Sequence, residues 1–534
     1  MVELKPIGPA TGTSACSQTA NNTAPISRIM DVAVDAVHTE FKQNQSTSPI
    51  PIFGKQKEAI ARARLEIINQ LSSKASNHKP PKKIVLPNGL TIIADEVPDT
   101  DFCNVRVAVK VGTIHEKKTN RGIAHFIEHT VFKGTNSEDR LTAYALNREL
   151  EGLGTAEKLN AQTDVESTEY YAEVLGDFAP YVLDAFLDIL SNPRFDEGEL
   201  EKEKNVIIEE IKQYNDSPQD FITDRLHQYV WRHPMGRPTL GTKESVRSLK
   251  RDALLEFMND FYTPDNMIIS VAGNFDLNNI IEVANKYTAH IERKKKPKEI
   301  PELKYKPGTL IYKRRDIEQT HLIFATEGIS FTSEDWFTLA VLEKSLATLF
   351  TSRLYSDIRE NAGLAYTVTS ENSQYAKGGT FGVYTAIPGE KLDYVLTLIL
   401  TQLKDIKDNG LTQEEMEIAK INLISEHVKD NESIEKRAER NVSDEIYFGK
   451  SISLKNDIEG IQAVTNEQII SLAQKLFKPA LFTLAIVGPK EEEEEENDQL
   501  PTRQKLQAII DKFARNWDEP LQPKPVETIE PKAA

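Results

Sequence analysis

The chain has 534 residues, a formal net charge of −17, 39% hydrophobic and 28% charged residues. That composition is ordinary for a globular protein, and at about 150 residues per domain it predicts three or four domains with more than one sizeable core. The acidic balance and the lack of a Lys/Arg stripe argue against a nucleic-acid partner, because phosphate is held by clustered basic residues.

Two cysteines, Cys16 and Cys103, exclude a disulfide framework and a CxxC zinc site, and fit a reducing compartment. No apolar run approaches the roughly 18 residues that span a bilayer. The first residues contain no signal-peptide core, and Arg28 is the only arginine before residue 50. The expected location is the cytoplasm, with no membrane span.

In chain order, residues 1–80 read as an N-terminal extension. Its Ser/Thr/Asn-rich part (11–25) has a disordered composition, and 56–76 has helical spacing with Ile60, Leu65, Ile68 and Leu71 near one face. The folded body begins at Ile84, where two apolar runs flank Pro87, Asn88 and Gly89, a hairpin signal. Val105, Val107, Val109 and Val111 alternate as a strand with one apolar face. A helix follows from about Arg121, then the strand TEYYAEVL from Thr168. Amphipathic helices are expected over about 178–191 and 197–214, then a buried strand, MIISVAGN, from Met267. The lysine-rich stretch within 294–306 reads as a linker.

After Lys306 the pattern restarts. Tyr181-Val-Leu-Asp-Ala matches Tyr394-Val-Leu-Thr-Leu at an offset of 394 − 181 = 213. MIISVAG from Met267 matches FTLAIVG from Phe482 at 482 − 267 = 215, and Pro264 matches Pro479 at the same 215. Agreement in order and spacing predicts two copies of one α/β unit, far longer than a solenoid repeat. Past Pro489, a glutamate run (491–496) reads as a solvated spacer. A short helical piece (about 501–516) and a Pro/Lys-rich end complete an acidic tail over 490–534.

The sharpest local signal is RGIAHFIEHTVFKGT from Arg121. His125, Glu128 and His129 form H-x-x-E-H, and on a helix these positions share one face. Two neutral imidazoles one turn apart suit tetrahedral zinc, and a neighbouring non-ligating glutamate suits a general base. Three fixed positions also recur by chance, as two half-exposed histidines on an amphipathic helix. Here Phe126, Ile127, Val131 and Phe132 bury the helix, and buried histidines need partners. A third ligand is expected downstream. The stretch 199–214 (ELEKEKNVIIEEIKQY) offers Glu203, Glu209 and Glu210; Glu203 and Glu210 are two turns apart on one face. Without the histidines, the same stretch reads as a solvated acidic face.

These motifs resemble the M16 (pitrilysin, or inverzincin) zinc metallopeptidases, and most of all their mitochondrial-processing-peptidase-like half-size subgroup. The resemblance runs from about 84 to 489. It rests on GIAHFIEHTVFKGT, LNAQTDVESTEYYAEV from Leu159, EKEKNVIIEEIK from Glu201 and SRLYSDIRENAGLAYTV from Ser352. It implies an α+β fold of two tandem homologous α/β domains, each a mixed, mostly antiparallel sheet packed with helices. These would be a catalytic domain over 81–293 and a second domain over 307–489. It implies one Zn2+ per chain, held by His125, His129 and Glu210, with Glu128 as the base that activates water. It makes Glu203 an accessory carboxylate, Asn160 and Ala161 backbone partners of an extended substrate, and Arg359 and Tyr366 the pair that supports the tetrahedral intermediate. The 81-residue gap from His129 to Glu210 is a few residues longer than is usual in the family, which leaves Glu209 as the neighbour to exclude. An offset of 216 puts Val341, Lys344 and Ser345 opposite His125, Glu128 and His129, so the second copy should hold no zinc. The implied function is a zinc-dependent endopeptidase acting on peptides or unfolded segments, as a homodimer. The alternatives are a catalytically silent structural subunit, or an interaction module working through the acidic tail.

Overall fold

The computed structural model describes residues 50–76, 79–155, 158–231, 234–291, 303–490 and 503–519. The expectations for 1–49, for most of the 294–306 linker, for the glutamate run and for the Pro/Lys-rich end lie outside the described residues. Helix α1 (Ile50–Ser76) begins earlier than the 56–76 read from spacing.

Two sheets carry the rest. The first has β1 (Lys82–Val85), β2 (Thr91–Glu96), β3 (Phe102–Val109), β4 (Asn160–Thr163), β5 (Thr168–Leu175) and β6 (Met267–Gly273), in the order β1-β2-β6-β3-β5-β4. Its pairs are antiparallel except β2 with β6. The second has β7 (Gly308–Arg314), β8 (Thr320–Gly328), β9 (Val368–Tyr375), β10 (Gly378–Ile387) and β11 (Thr483–Pro489), in the order β7-β11-β8-β10-β9. Its one parallel pair is β7 with β11. Without β1, the first order maps onto the second strand for strand. The α+β fold of two repeated, mostly antiparallel units follows, and β6 and β11 are the two matched apolar segments.

One face of the first sheet builds the main core. Val105, Val107 and Val109 on β3 pack with α2 (Ile123–Val131), α3 (Ala179–Ser191) and α4 (Glu197–Asp216). In α2, Ile123, Ala124, Phe126, Ile127 and Val131 are all buried in that core. Burial of nearly every apolar residue fixes the rotation of α2, which sets where its histidines point.

The other face of each sheet is covered by a helix from the opposite half. Helix α5 (Pro218–Val230) sets Ile222, Leu226 and Val230 against Leu310, Ile323, Ala325 and Val487 of the second sheet. Among the second-half helices α6 (Trp336–Glu343), α7 (Leu392–Asn409), α8 (Gln413–Glu432) and α9 (Ile434–Phe448), it is α9 that crosses back. Its Val442 and Ile446 pack on Ile93, Ala108 and Ile268 of the first sheet. Arg437 on α9 makes a buried bidentate pair with Asp95 on β2. This exchange is absent from the helical spacing alone, which marks a buried stripe without saying which sheet it meets.

Among the described residues the last helix, α10 (Arg503–Arg515), is docked. Leu506, Ile510 and Trp517 are buried, and Trp517 Nε1 donates to Phe477 O at 2.7 Å. Lys404 and Lys407 on α7 donate to Trp517 O at 2.8 and 2.7 Å. Among the described residues no helix is long and apolar enough to cross a membrane.

Candidate active site

Helix α2 starts at Gly122, whose φ of 81° is left-handed, a conformation glycine adopts without strain. One turn apart on α2, the His125 and His129 rings lie with centroids 4.5 Å apart. Helix α4 lies against α2. Asp196 caps α4 through Gly198 N and Glu199 N, and Leu200, Ile207 and Ile208 are buried beside its acidic stripe. The face left toward α2 carries Glu203 and Glu210.

Glu210 Oε2 lies 3.8 Å from His125 Nε2 and 3.6 Å from His129 Nε2. Among the described residues, His125, His129 and Glu210 form the one group of such side chains whose ligand atoms all fall within 4.8 Å. Those separations are too long for hydrogen bonds. They sit near the ligand–ligand edge of about 3.3 Å that tetrahedral zinc imposes with bonds of about 2.0–2.1 Å. Glu210 Oε2 is buried with no hydrogen-bond partner, and so is His125 Nδ1. Two imidazoles and a carboxylate with an orphaned inward oxygen are a donor set that fits zinc. Glu209, the neighbour left open by the sequence, is exposed and pairs with Lys212 at 2.6 Å.

The surrounding groups orient this set. His129 Nδ1 donates to Glu203 Oε1 at 2.9 Å, and Lys133 Nζ holds Glu203 Oε2 at 2.8 Å. A histidine held this way presents Nε2 to a metal. Glu128 accepts from Thr163 Oγ1 at 2.5 Å, which ties α2 to the last residue of β4. Strand β4 pairs only with β5 and forms the edge of the sheet, with Asn160 opposite Tyr171 and Ala161 opposite Tyr170. Thr163 and Lys133 lie inside the motifs the sequence marks, yet a side chain's partner across the fold has no local signal.

Burial, with His129 beside it, holds the His125 imidazole well below its ordinary pKa. That keeps it neutral, the form that binds a metal. Burial also acts to lower His129, but the Glu203 hydrogen bond and the Glu210 and Glu128 carboxylates win and raise it. Burial raises Glu128, against the opposing pull of His129 and Thr163. Burial likewise raises Glu210. Burial acts to raise Glu203 as well, but His129 and Lys133 outweigh it and hold it low. Three carboxylates around two imidazoles make a field that attracts a cation.

Arg359 and Tyr366 sit in the second half. Arg359 Nη1 donates to Tyr366 O at 2.7 Å, and its guanidinium lies 4.7 Å from the Tyr366 ring centroid and 4.9 Å from that of Tyr355. Tyr366 is 80% exposed. The pair is joined to itself rather than to the His125–Glu210 cluster.

Residues 91–243 match the family description Insulinase (Peptidase family M16), and residues 248–423 match Peptidase M16 inactive domain. The chain is 34% identical over 409 residues to the uncharacterized zinc protease YmxG of Bacillus subtilis, covering 76% of this chain and 98% of that protein. It is 32% identical over 408 residues to an uncharacterized zinc protease of Rickettsia felis, covering 76% and 97%. A protease from Helicobacter pylori superposes with a TM-score of 0.70 at 23% identity, over 77% of this chain and 99% of that one. A chain of complex III2 from Candida albicans superposes at 0.68 and 17% identity, over 80% and 99%. At these identities the two structures speak for the fold alone. With both halves matched and relatives of this closeness, the chain belongs to peptidase family M16.

Proposed function

We propose that the chain is a zinc-dependent endopeptidase that hydrolyses extended peptide segments. The observation that carries this reading is the convergence of His125 Nε2, His129 Nε2 and Glu210 Oε2 beside Glu128 and the β4 edge. The relatives named zinc proteases support it. His125, His129 and Glu210 would hold one zinc per chain. Bound zinc supplies Lewis-acid polarisation of a carbonyl and acidifies a water.

The chain's own residues do the rest. A substrate strand added along β4 at Asn160 and Ala161 takes main-chain hydrogen bonds, which demand little of its sequence. Glu128 accepts the proton of the attacking water and passes it to the leaving amine. Its raised pKa makes it a better acceptor near neutrality, and Thr163 keeps the carboxylate aimed. Glu203 and Lys133 fix the His129 tautomer. Arg359 and Tyr366 would donate to the oxyanion once the two halves close on a peptide. Two copies would pair to enclose the cleft.

The test is cleavage of an internally quenched peptide of about 10–20 residues, long enough to lie along a strand. Wild type should cleave it, and 1,10-phenanthroline and Glu128→Gln should each abolish cleavage. Cleavage that survives Glu128→Gln would overturn the mechanism. No cleavage by zinc-loaded wild type would favour the silent-subunit reading. Equilibrium sedimentation tests the pairing.

A further inference from the structure

The helix that carries His125, Glu128 and His129 is nine residues long and has no side-chain cap at Gly122. Four backbone N–H groups at a helix start need partners. Glu116 partners two of the amides at this start from a distance. Its carboxylate accepts from Gly122 N at 2.8 Å and Ala124 N at 3.2 Å, while Ile123 N between them donates to Asn120 O at 3.1 Å. Glu116 is 3% exposed. Burial pushes its pKa up to about 8, while the backbone N–H groups and Arg237 pull against that rise. Arg237 Nη1 in turn donates to Glu116 O.

The segment that delivers Glu116 is itself fixed to the β4–β5 turn. Thr113 N donates to Asp164 O at 3.2 Å, and Ile114 N to Val165 O at 3.0 Å. The contact leaves no room for a side chain at Gly112, where a Cβ would fall 2.1 Å from Asp164 O. At the other end, a Cβ on Gly122 would fall 2.7 Å from Leu240 O, so the helix start is wedged as well as capped. One five-residue segment, 112–116, therefore clamps the turn that follows Thr163 and the start of the helix that carries Glu128.

Resting on the peptidase reading above, we infer that Glu116 is a positioning residue. It sets the distance between the α2 side chains and a peptide on the β4 edge. It touches neither the metal ligands nor the substrate strand. It acts through the helix start, where a displacement of about 1 Å can cost about 100-fold in rate.

The test uses the full chain with Glu116→Gln, Glu116→Ala and Glu128→Gln. Glutamine keeps the size of Glu116 but turns an NH2 donor toward backbone donors. Three readouts are taken: kcat and KM on the quenched peptide, Zn2+ affinity by competition with a chelator, and the melting temperature. Glu116→Gln should melt close to wild type and keep KM within about twofold. Its kcat should fall about 10–100-fold and its Zn2+ affinity by about tenfold or more. Glu116→Ala should go further in the same direction. Unchanged kcat and Zn2+ affinity in Glu116→Gln, with only a lowered melting temperature, would overturn the inference. So would a rise in KM with kcat unchanged. If wild type cleaves no peptide, the peptidase reading fails by itself, and the Zn2+ competition still decides the role of Glu116.

Discussion

Helices α4 and α8 are both 20 residues long and begin 216 residues apart, at Glu197 and Gln413. Each is followed by a serine cap, Ser217 or Ser433, and then by the helix that crosses to the other sheet. At this offset Glu210 corresponds to Glu426, and His125, Glu128 and His129 correspond to Val341, Lys344 and Ser345. In the first half the Glu210 carboxylate faces two imidazoles and keeps an orphaned oxygen. In the second half Glu426 Oε1 is met by Lys344 Nζ at 2.7 Å. The edge strands keep the same habit. Thr163 on β4 bonds Glu128, and Ser370 on β9 bonds Glu343 at 2.6 Å. One backbone frame thus carries two electrostatic solutions. A carboxylate facing two imidazoles leaves room for a cation from outside, whereas a carboxylate with a lysine has one built in. The duplicated fold does not dictate chemistry; three substitutions on one helix face decide it.

The sharpest way to break this comparison is to remove the proposed base, Glu128, from the first half. Glu128→Gln should cut kcat by roughly 10²–10⁴-fold, the usual share of a positioned general base. It should leave Zn2+ content unchanged, because Glu128 is not among the three ligands proposed. Loss of metal from that variant would mean the ligand set is wrong. The next largest effect lies in the cross-covering helices. Arg437→Ala strands the buried Asp95 carboxylate and should destabilise by about 3–5 kcal/mol, read by denaturant unfolding. A change within about 0.5 kcal/mol would mean that α9 is held by its apolar contacts alone. Trp517→Ala should cost a similar amount, about 3–5 kcal/mol, by emptying the site under Phe477 and Phe482. An unaffected melting temperature would mean that α10 is dispensable.

Much of this was legible in the residues. Period-two valines fix β3, and an apolar run fixes β6. The H-x-x-E-H spacing places three groups on one helix face, because helix periodicity is local. The repeat was legible as well, because Pro264 and Pro479 mark the start of the same strand in each copy. What escaped is long-range. Helix α5 reads as a helix with one apolar side, and nothing in Ile222, Leu226 and Val230 says that their partner is Leu310 rather than a near neighbour. Glu116 reads as one acid among 82, since its partners are backbone N–H groups that no sequence displays. The short helical piece after the glutamate run is legible as a helix, but its spacing does not say that Leu506, Ile510 and Trp517 are buried.

The pH profile sharpens the comparison by a smaller amount. Burial raises the Glu128 pKa, and the Thr163 hydrogen bond lowers it. The base must be ionised to accept a proton, so activity is lost as pH falls through the folded-state value. Thr163→Val removes a lowering influence. It should move the acid limb of kcat/KM to higher pH, with the alkaline limb unmoved. An acid limb that stays put would detach Thr163 from the base.

The smallest effect is expected from the second half, and it tests whether that half has any share in the chemistry. Lys344→Ala removes the partner of Glu426, a carboxylate that is 52% exposed. Water can solvate a carboxylate so exposed, so the cost should be about 0–1 kcal/mol. Lys344 sits where Glu128 sits in the first half, yet kcat and Zn2+ stoichiometry should both stay at the wild-type level. If the frame alone favoured a metal, removing the ammonium would free Glu426 to bind one, and a second equivalent of zinc would appear. We expect none, because Val341 and Ser345 offer no imidazole to complete a set of three.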